Sequence, residues 1–180
     1  GRSYYWYFSN RYRFNNKLSV THELSLNPSV NDVGYAAFDP QGNIIFSRRK
    51  ISTVDNRLSV KYNFTKKSGL TFLARHYWRE VNPKQFYTLN TDGSLTENNV
   101  FNEDRSQNFN RFTIDMVYTW EFRQGSFLNL VWKNEILGSE YTVDRGYTKN
   151  FNNTINSKEN NNLSLKIIYY LDYLRLKKRK

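Results

Sequence analysis

The chain of 180 residues contains no cysteine, three prolines and two histidines, His22 and His76. Without cysteine it has no disulfide framework, no thiolate metal site and no cysteine nucleophile. Two imidazoles leave little material for metal binding or acid–base chemistry, and the carboxylates of the long segment 81–107 lack the spacing of a calcium loop. We therefore predict no cofactor, no metal site and no catalytic residue, and we do not expect an enzyme.

Long hydrophobic runs are also missing. No stretch approaches the roughly 18 apolar residues that a membrane helix needs. Hydrophobic residues make up 38% of the chain, below the roughly 45–50% of ordinary globular domains. Aromatic residues nevertheless reach 17%, which argues against disorder because disordered chains are poor in aromatics.

The charge balance is basic, with 27 Lys and Arg against 16 Asp and Glu and a net charge of +11. Such a balance suggests nucleic acid, anionic lipid or an acidic ligand as partner. Four of the charges lie in the last four residues, 177–180, and the rest are spread along the chain. Because they form no single basic helix or arm, we predict no nucleic-acid partner.

Apolar and polar residues alternate with a period of two through most of the chain. In the last segment, Leu163, Leu165 and Ile167 alternate with Ser164 and Lys166. Neighbouring side chains of a strand point to opposite faces, so this pattern predicts strands with one apolar and one polar face. Seven segments follow it: 4–14, 18–26, 58–64, 70–79, 112–122, 128–136 and 163–174. We predict an all-β antiparallel meander with no helix longer than about two turns.

The connections between these segments alternate in length. Residues 15–17, 65–69 and 123–125 are short turns, whereas 27–50, 81–107 and 138–160 are long polar stretches. The sequences at 39–42 and 90–93 have the composition of turn tips, which would fold two of the long loops into hairpins. Regular alternation predicts that all short turns lie at one end of the sheet and all long loops at the other.

Strands of about ten residues, short turns at one end and long loops at the other are typical of an outer-membrane β-barrel. Strands of soluble proteins average about 5–6 residues, although a soluble antiparallel sheet alternates in the same way. The charges of the strands fall on one face, as a polar barrel lumen would tolerate. We predict these residues to face the lumen: Arg11, Arg13, Glu23, Lys61, Arg75, Arg79, Asp115, Glu121, Lys133, Glu135, Lys166 and Asp172.

Aromatic residues gather near the two ends of the strands. Tyr and Trp favour membrane interfaces, where an apolar ring and a polar tip are both satisfied. The pattern predicts two aromatic girdles, formed by Tyr4, Trp6, Tyr12, Phe14, Tyr62, Phe64, Trp78, Trp120, Phe122 and Tyr173. His76 alternates onto the same face as Trp78, where we interpret it as an interfacial histidine. The Asn-rich run 150–162 is interpreted as an exposed loop.

Several longer motifs resemble a known family. They are the segment from Asn110 to Phe122, then Gln124-Gly125-Ser126, Val131-Trp132-Lys133-Asn134, Arg75-His76-Tyr77-Trp78, and the ending from Leu163 to Leu174. They are similar to the C-terminal, membrane-embedded region of a Bacteroidota outer-membrane protein family of unknown function. Its members typically carry an N-terminal β-sandwich similar to carbohydrate-binding family 9 domains, followed by a large barrel. No segment here matches the sandwich, so the resemblance implies no carbohydrate-binding residue.

We expect residues 1–176 to form barrel strands and 177–180 to form a basic periplasmic tail. Bacterial single-chain barrels have even strand numbers, and open strand edges are costly in hydrocarbon. Seven strands should therefore be the C-terminal part of a larger barrel. Segment 4–14 begins within three residues of Gly1, which is not a methionine, and should pair with a preceding strand. Segment 163–174 should close onto the first strand of the barrel.

Three functions fit these expectations. The first is an outer-membrane barrel that transports or exports a substrate, or anchors a periplasmic domain. The second is a structural subunit of a multi-protein outer-membrane complex, and the third is a soluble glycan-binding β-sandwich. For the first two we expect location in the bacterial outer membrane. The expected partners are outer-membrane lipid and lipopolysaccharide, together with other outer-membrane or periplasmic proteins.

Overall fold

The structure is a computed structural model and describes residues 1–140 and 146–171 of the chain. Strands dominate, and one short helix interrupts them near the end. The elements are β1 Arg2–Ser3, β2 Trp6–Arg13, β3 Leu18–Phe38, β4 Ile44–Thr65, β5 Ser68–Leu89, β6 Leu95–Asn98, β7 Gln107–Arg123, β8 Ser126–Glu140, α1 Tyr147–Ile155 and β9 Glu159–Ile168.

All nine described strands belong to one antiparallel sheet, in which successive long strands are neighbours. β1 and β2 both pair with β3, β6 forms a hairpin with β5, and the main order continues through β7 and β8 to β9. The prediction of an all-β antiparallel meander is confirmed. In the described part of the chain the sheet is not closed, because β2 and β9 each pair on one side only.

Three of the strands run far into the segments expected to be long loops. β3 extends to Phe38 and β4 begins at Ile44, so most of 27–50 is a hairpin, and β5 continues to Leu89. The tips of these hairpins are tight turns in which Gly42 (φ 85°) and Gly93 (φ 84°) adopt the left-handed conformation that glycine tolerates best. The loops are therefore shorter than the sequence pattern indicated.

The segment 138–160 also differs from the expected exposed loop. It contains helix α1 of nine residues, about two and a half turns, and the first residues of β9. Residues 141–145 and 172–180 lie outside the described part of the chain, and so do the predicted tail 177–180 and the site residues Asp172 and Tyr173.

The sheet has two unlike faces, which we name from β7. Directly paired residues of neighbouring strands point to the same face. The apolar face carries Phe112, Ile114, Met116, Tyr118 and Trp120 together with their partners in register. The opposite, charged face carries Thr113, Asp115, Val117, Thr119, Glu121 and their partners.

The charged face is concave. A central hollow of about 760 Å³ is lined by residues of β2, β3, β4, β5 and β7, all of them from the charged face. One face of five adjacent strands can line a common hollow only if the sheet curves toward that face.

Just six apolar side chains of the described residues are buried: Ala37, Ile45, Ile51, Trp78, Val81 and Ile136. The curved sheet is thus a single layer without an extended apolar core.

Candidate functional site: the charged concave face

The strand register places the predicted lumen charges on a common surface. Along the paired strands, eleven of the twelve share the charged face: Arg11, Arg13, Glu23, Lys61, Arg75, Arg79, Asp115, Glu121, Lys133, Glu135 and Lys166. Asp172 lies outside the described residues. Whether this face lines a lumen stays a prediction, but the charges do form one surface.

Ion pairs cross the middle of this face. The carboxylate of Asp55 accepts hydrogen bonds from Arg75 on the neighbouring strand (2.5 Å) and from Arg57 on its own strand (3.2 Å). Further along the sheet, Arg111 pairs with Glu135 at 2.5 Å and Lys133 with Asp115 at 3.3 Å. All of these groups are partly exposed, and each such pair contributes about 0–1 kcal/mol. Their main effect is to neutralise charge in the central part of the face.

Sequence reasoning missed three members of this network, Asp55, Arg57 and Arg111. The predicted segments began at residues 58 and 112, one to three residues too late, so these side chains were left in the connections. Their numbers have the same parity as the neighbouring charges Lys61 and Asp115. Extending the alternation backwards along each strand is the signal that would have found them.

A second, larger hollow lies at the end of the sheet where the short turns gather. We call it the turn-end hollow; its volume is about 1040 Å³. Its lining includes six cationic side chains and one carboxylate, Glu121. The cations are Arg11, Arg13, Lys17, Lys61, Lys66 and Lys67. The concave face is therefore neutralised in its centre and strongly basic at its turn end.

The predicted girdle residues lie on the opposite, apolar side of the sheet. Near the short turns they contact one another edge to face, as in the ring pairs Tyr12–Phe14 and Tyr62–Phe64 at 4.4 and 4.8 Å. Most of this set is exposed: Tyr4, Trp6, Tyr12, Phe14, Phe64, Trp120 and Phe122. Tyr173 is outside the described residues, so its place in a girdle stays a prediction.

Trp78 differs from the other girdle residues because helix α1 covers it. Its side chain is 6% exposed, its Nε1 donates a hydrogen bond to Asn108 Oδ1 at 2.7 Å, and its ring contacts Tyr147 of α1. Sequence periodicity identified its face correctly but gave no indication of the helix above it.

His76 lies under the same helix rather than at an open interface. It is 3% exposed, and the rings of Tyr147 and Phe151 both pack against it at 5.2 Å. The Tyr147 hydroxyl accepts a hydrogen bond from Asn56 Nδ2 at 3.0 Å. Its own hydrogen is then free to be donated to His76 Nδ1, 3.2 Å away.

Polar groups continue beneath α1 beyond His76. Asn150 is 1% exposed, and its Oδ1 accepts hydrogen bonds from Asn108 Nδ2 (2.7 Å) and Asn110 Nδ2 (3.1 Å). The interpretation of the run from 150 onward as an exposed loop is therefore wrong for Asn150. Burial raises the pKa of Tyr147 above its ordinary value, so the phenol stays neutral and serves as a hydrogen-bonding group.

The described residues contain no group of three or more His, Cys, Asp or Glu side chains arranged to hold a metal ion. The loosely spaced carboxylates between 92 and 104 make local contacts instead. Asp92 accepts hydrogen bonds from the backbone and hydroxyl of Ser94, and Glu103 pairs with Arg105. In the same part of the chain, no helix has the length and apolar character to cross a membrane.

Comparison of the sequence with curated proteins and with solved structures finds no match. A family match covers the whole chain, residues 1–180, and carries the description "domain of unknown function". On that match, the chain belongs to the DUF5916 family.

Proposed function

We propose that this chain forms part of an outer-membrane β-barrel, which either transports or exports a substrate or anchors a periplasmic domain. The observation that carries the proposal is the opposition of the two faces of one curved sheet. The concave face bears eleven of the predicted charges, and the convex face exposes aromatic and aliphatic side chains. A membrane barrel needs this arrangement, with lipid outside and polar groups inside.

The extent of the apolar face supports a membrane. From Phe122 to Phe112 the face of β7 is apolar, and these residues span about 34 Å along the strand at roughly 3.4 Å per residue. At the tilt of about 35–45° that is typical of barrel strands, this length covers a height of about 24–28 Å. The apolar band of outer-membrane barrels is about 25 Å tall. Beyond Phe112 the same face turns polar at Asn110 and Asn108, and there helix α1 covers it. Lipid would thus contact the apolar part of this face, whereas helix α1 covers the polar part.

The open edges support a barrel with additional strands. β2 and β9 do not pair with each other in the described part of the chain, and each leaves one side without a strand partner. Each unsatisfied backbone group in hydrocarbon costs several kcal/mol. We propose that strands beyond those described here complete the barrel next to β2 and β9, so that this sheet is one portion of a larger wall.

Of the two alternative functions, the soluble sandwich fits less well. A soluble glycan-binding sandwich packs two sheets around an apolar core, whereas the described strands form one sheet with few buried apolar side chains. A structural subunit of an outer-membrane complex would share the same faces and remains an alternative. The resemblance to a Bacteroidota outer-membrane family supports the membrane proposals. In members of that family, the N-terminal β-sandwich is the domain that such a barrel would anchor.

Labelling of single cysteines in intact cells tests the proposal. The chain has no cysteine, so a single cysteine at Asn98 or at Lys66 reports from this chain without background. With membrane-impermeant maleimide we expect labelling of N98C from outside, and labelling of K66C only after the outer membrane is permeabilised. Labelling of K66C but not of N98C in intact cells would show that the orientation is opposite to the one proposed. Recovery of the full-length protein in the soluble fraction without detergent would contradict a membrane barrel.

Conductance distinguishes a pore from an anchor. The full-length protein is reconstituted into planar lipid bilayers, and a substitution on the concave face, Arg75→Gln, is compared with one on the convex face, Val60→Ala. A pore predicts ion conductance that changes with the first substitution and not with the second. A silent but correctly inserted protein would favour an anchor or a structural subunit.

A further inference from the structure

Among the described residues, ion pairs do not offset the basic character of the turn-end hollow. Of its six cations, none forms a salt bridge within the described ranges 1–140 and 146–171. The one carboxylate among its described lining residues, Glu121, accepts a hydrogen bond from the backbone N–H of Gly125 at 3.1 Å. The central hollow shares Arg11, Ser19 and Lys61 with the turn-end hollow. Its other cations differ, because Arg57 and Arg75 pair with Asp55, and Arg111 pairs with Glu135.

Three of the cations have positions fixed by the strand register. Ser19 of β3 pairs with Arg13 on one side and with Lys61 on the other, so the two cations flank its hydroxyl. Arg11 lies two residues from Arg13, beside Thr21. From strand geometry, the α-carbons of Arg11 and Arg13 are about 7 Å apart, and those of Arg13 and Lys61 about 10 Å apart. Three cationic residues thus lie close to Ser19 in the lining of the hollow.

The other three cations belong to the turns and complete the rim. Lys17 lies in the turn between β2 and β3, and Lys66 and Lys67 form the turn between β4 and β5. The turns are held together, since the Asn63 N–H bonds to the Lys17 carbonyl at 2.8 Å and the Glu121 N–H bonds to the Lys67 carbonyl at 2.7 Å. The hollow is therefore a braced feature that presents donors from several directions.

We propose that the turn-end hollow binds a soluble anion that carries two or more phosphate groups. Arg and Lys are the usual phosphate-binding side chains, Arg through paired N–H donors and Lys as a point charge. A phosphate offers oxygens in several directions and so suits donors from three strands and two turns better than a planar carboxylate does. Several cations at separations of about 7–10 Å favour an oligoanion over a single phosphate. The proposal deepens the proposed function, because in a barrel this hollow would lie at the periplasmic mouth of the lumen.

Binding of inorganic tripolyphosphate to the full-length protein in a neutral detergent tests the site, with isothermal titration calorimetry as the readout. The test variant is Arg13→Gln/Lys61→Gln, and the matched control is Arg79→Gln, an exposed cation on the same face outside the hollow. All three side chains are exposed, so the substitutions leave the buried groups intact, which circular dichroism verifies. We expect binding by the parent, at least tenfold weaker binding by the double variant, and parent-like binding by the control.

Several results would overturn this inference. They are no binding by the parent, equal weakening by Arg79→Gln, or equally tight binding of the tricarboxylate tricarballylate. A phosphorus assay on the purified protein detects retained phospholipid. Retained phospholipid together with no binding of tripolyphosphate would assign the hollow to lipid headgroups instead. Because calorimetry in detergent needs neither a pore nor a membrane, failure of the site is distinguishable from failure of the membrane proposal, which the cysteine labelling tests separately.

Discussion

Asn150→Ala should loosen helix α1 from the sheet. The substitution removes the oxygen that accepts hydrogen bonds from Asn108 and Asn110 at 2.7 and 3.1 Å. A buried donor left without a partner costs about 1–3 kcal/mol. Asn110 keeps a longer contact of 3.4 Å with Asn108, so we take a total near the lower end, about 2 kcal/mol. Because 1.4 kcal/mol is a factor of ten, local opening of α1 should increase roughly 30-fold.

Hydrogen exchange of the full-length protein, followed by mass spectrometry of the peptide that covers α1, measures this opening. The control is Asn152→Ala, on the same helix with an exposed side chain. Both changes gain helix propensity equally, since alanine is the better helix former. Exchange in the control should therefore equal or fall below that of the parent, whereas exchange in Asn150→Ala should rise. Equal exchange in the two variants would refute the role assigned to the buried amide.

Other substitutions give further expected outcomes. Tyr147→Phe leaves the buried His76 Nδ1 and the partly buried Asn56 Nδ2 without the hydroxyl as partner. Exchange of the α1 peptide should therefore rise by a factor that corresponds to about 1–3 kcal/mol; no change would contradict the hydroxyl's role. Gly125→Ala places a side chain at φ 74°, with its Cβ 3.1 Å from the Tyr170 side chain, and should destabilise by about 1 kcal/mol or more, measured by chemical denaturation in detergent. At a hairpin tip, a side-chain hydrogen bond from Asn43 lowers the pKa of Asp39 below its ordinary 3.8. A carboxylate whose pKa is lowered in the folded state stabilises the fold at pH values above its unfolded-state pKa. That stabilisation is lost as the pH falls through the folded-state pKa. A nitroxide on the tip should therefore gain mobility as the pH falls below 3.8 and through the lowered pKa of Asp39, and Asp39→Asn should abolish that pH dependence.

Periodicity predicted the centre of each strand but not its far end. The alternation of β3 is interrupted between Ser29 and Asp32, where the register shifts and Asn31 adopts φ 58°. A bulge of this kind adds a residue and reverses which parity faces which side. The pattern beyond it therefore looked like a polar loop, and strand ends such as Phe38 were missed.

The faces of the site could be predicted, but the helix that covers one of them could not. Charges such as Lys61 and Asp115 were placed together because alternation is a local property of each strand. The contacts of Tyr147 and Phe151 with His76 join residues more than seventy positions apart. Asparagine is a weak helix former, so the Asn-rich composition of α1 indicated a loop. The helix is stabilised by the sheet beneath it, which no local pattern reveals.

Nitroxide scanning of β7 tests the central claim most directly, namely that one face of this sheet meets lipid and the other meets water. Single labels at positions 113–120 of the full-length protein in lipid vesicles are probed with oxygen and with a water-soluble nickel complex. Met116 and Val117 give the clearest comparison of the two faces. Both side chains are apolar and they lie on opposite faces, so a difference in accessibility reflects the face and not the polarity of the replaced residue. We predict oxygen accessibility at 116 and the other even positions, and nickel accessibility at 117 and the other odd positions. Uniform nickel accessibility at every position, or the reverse alternation, would contradict the account.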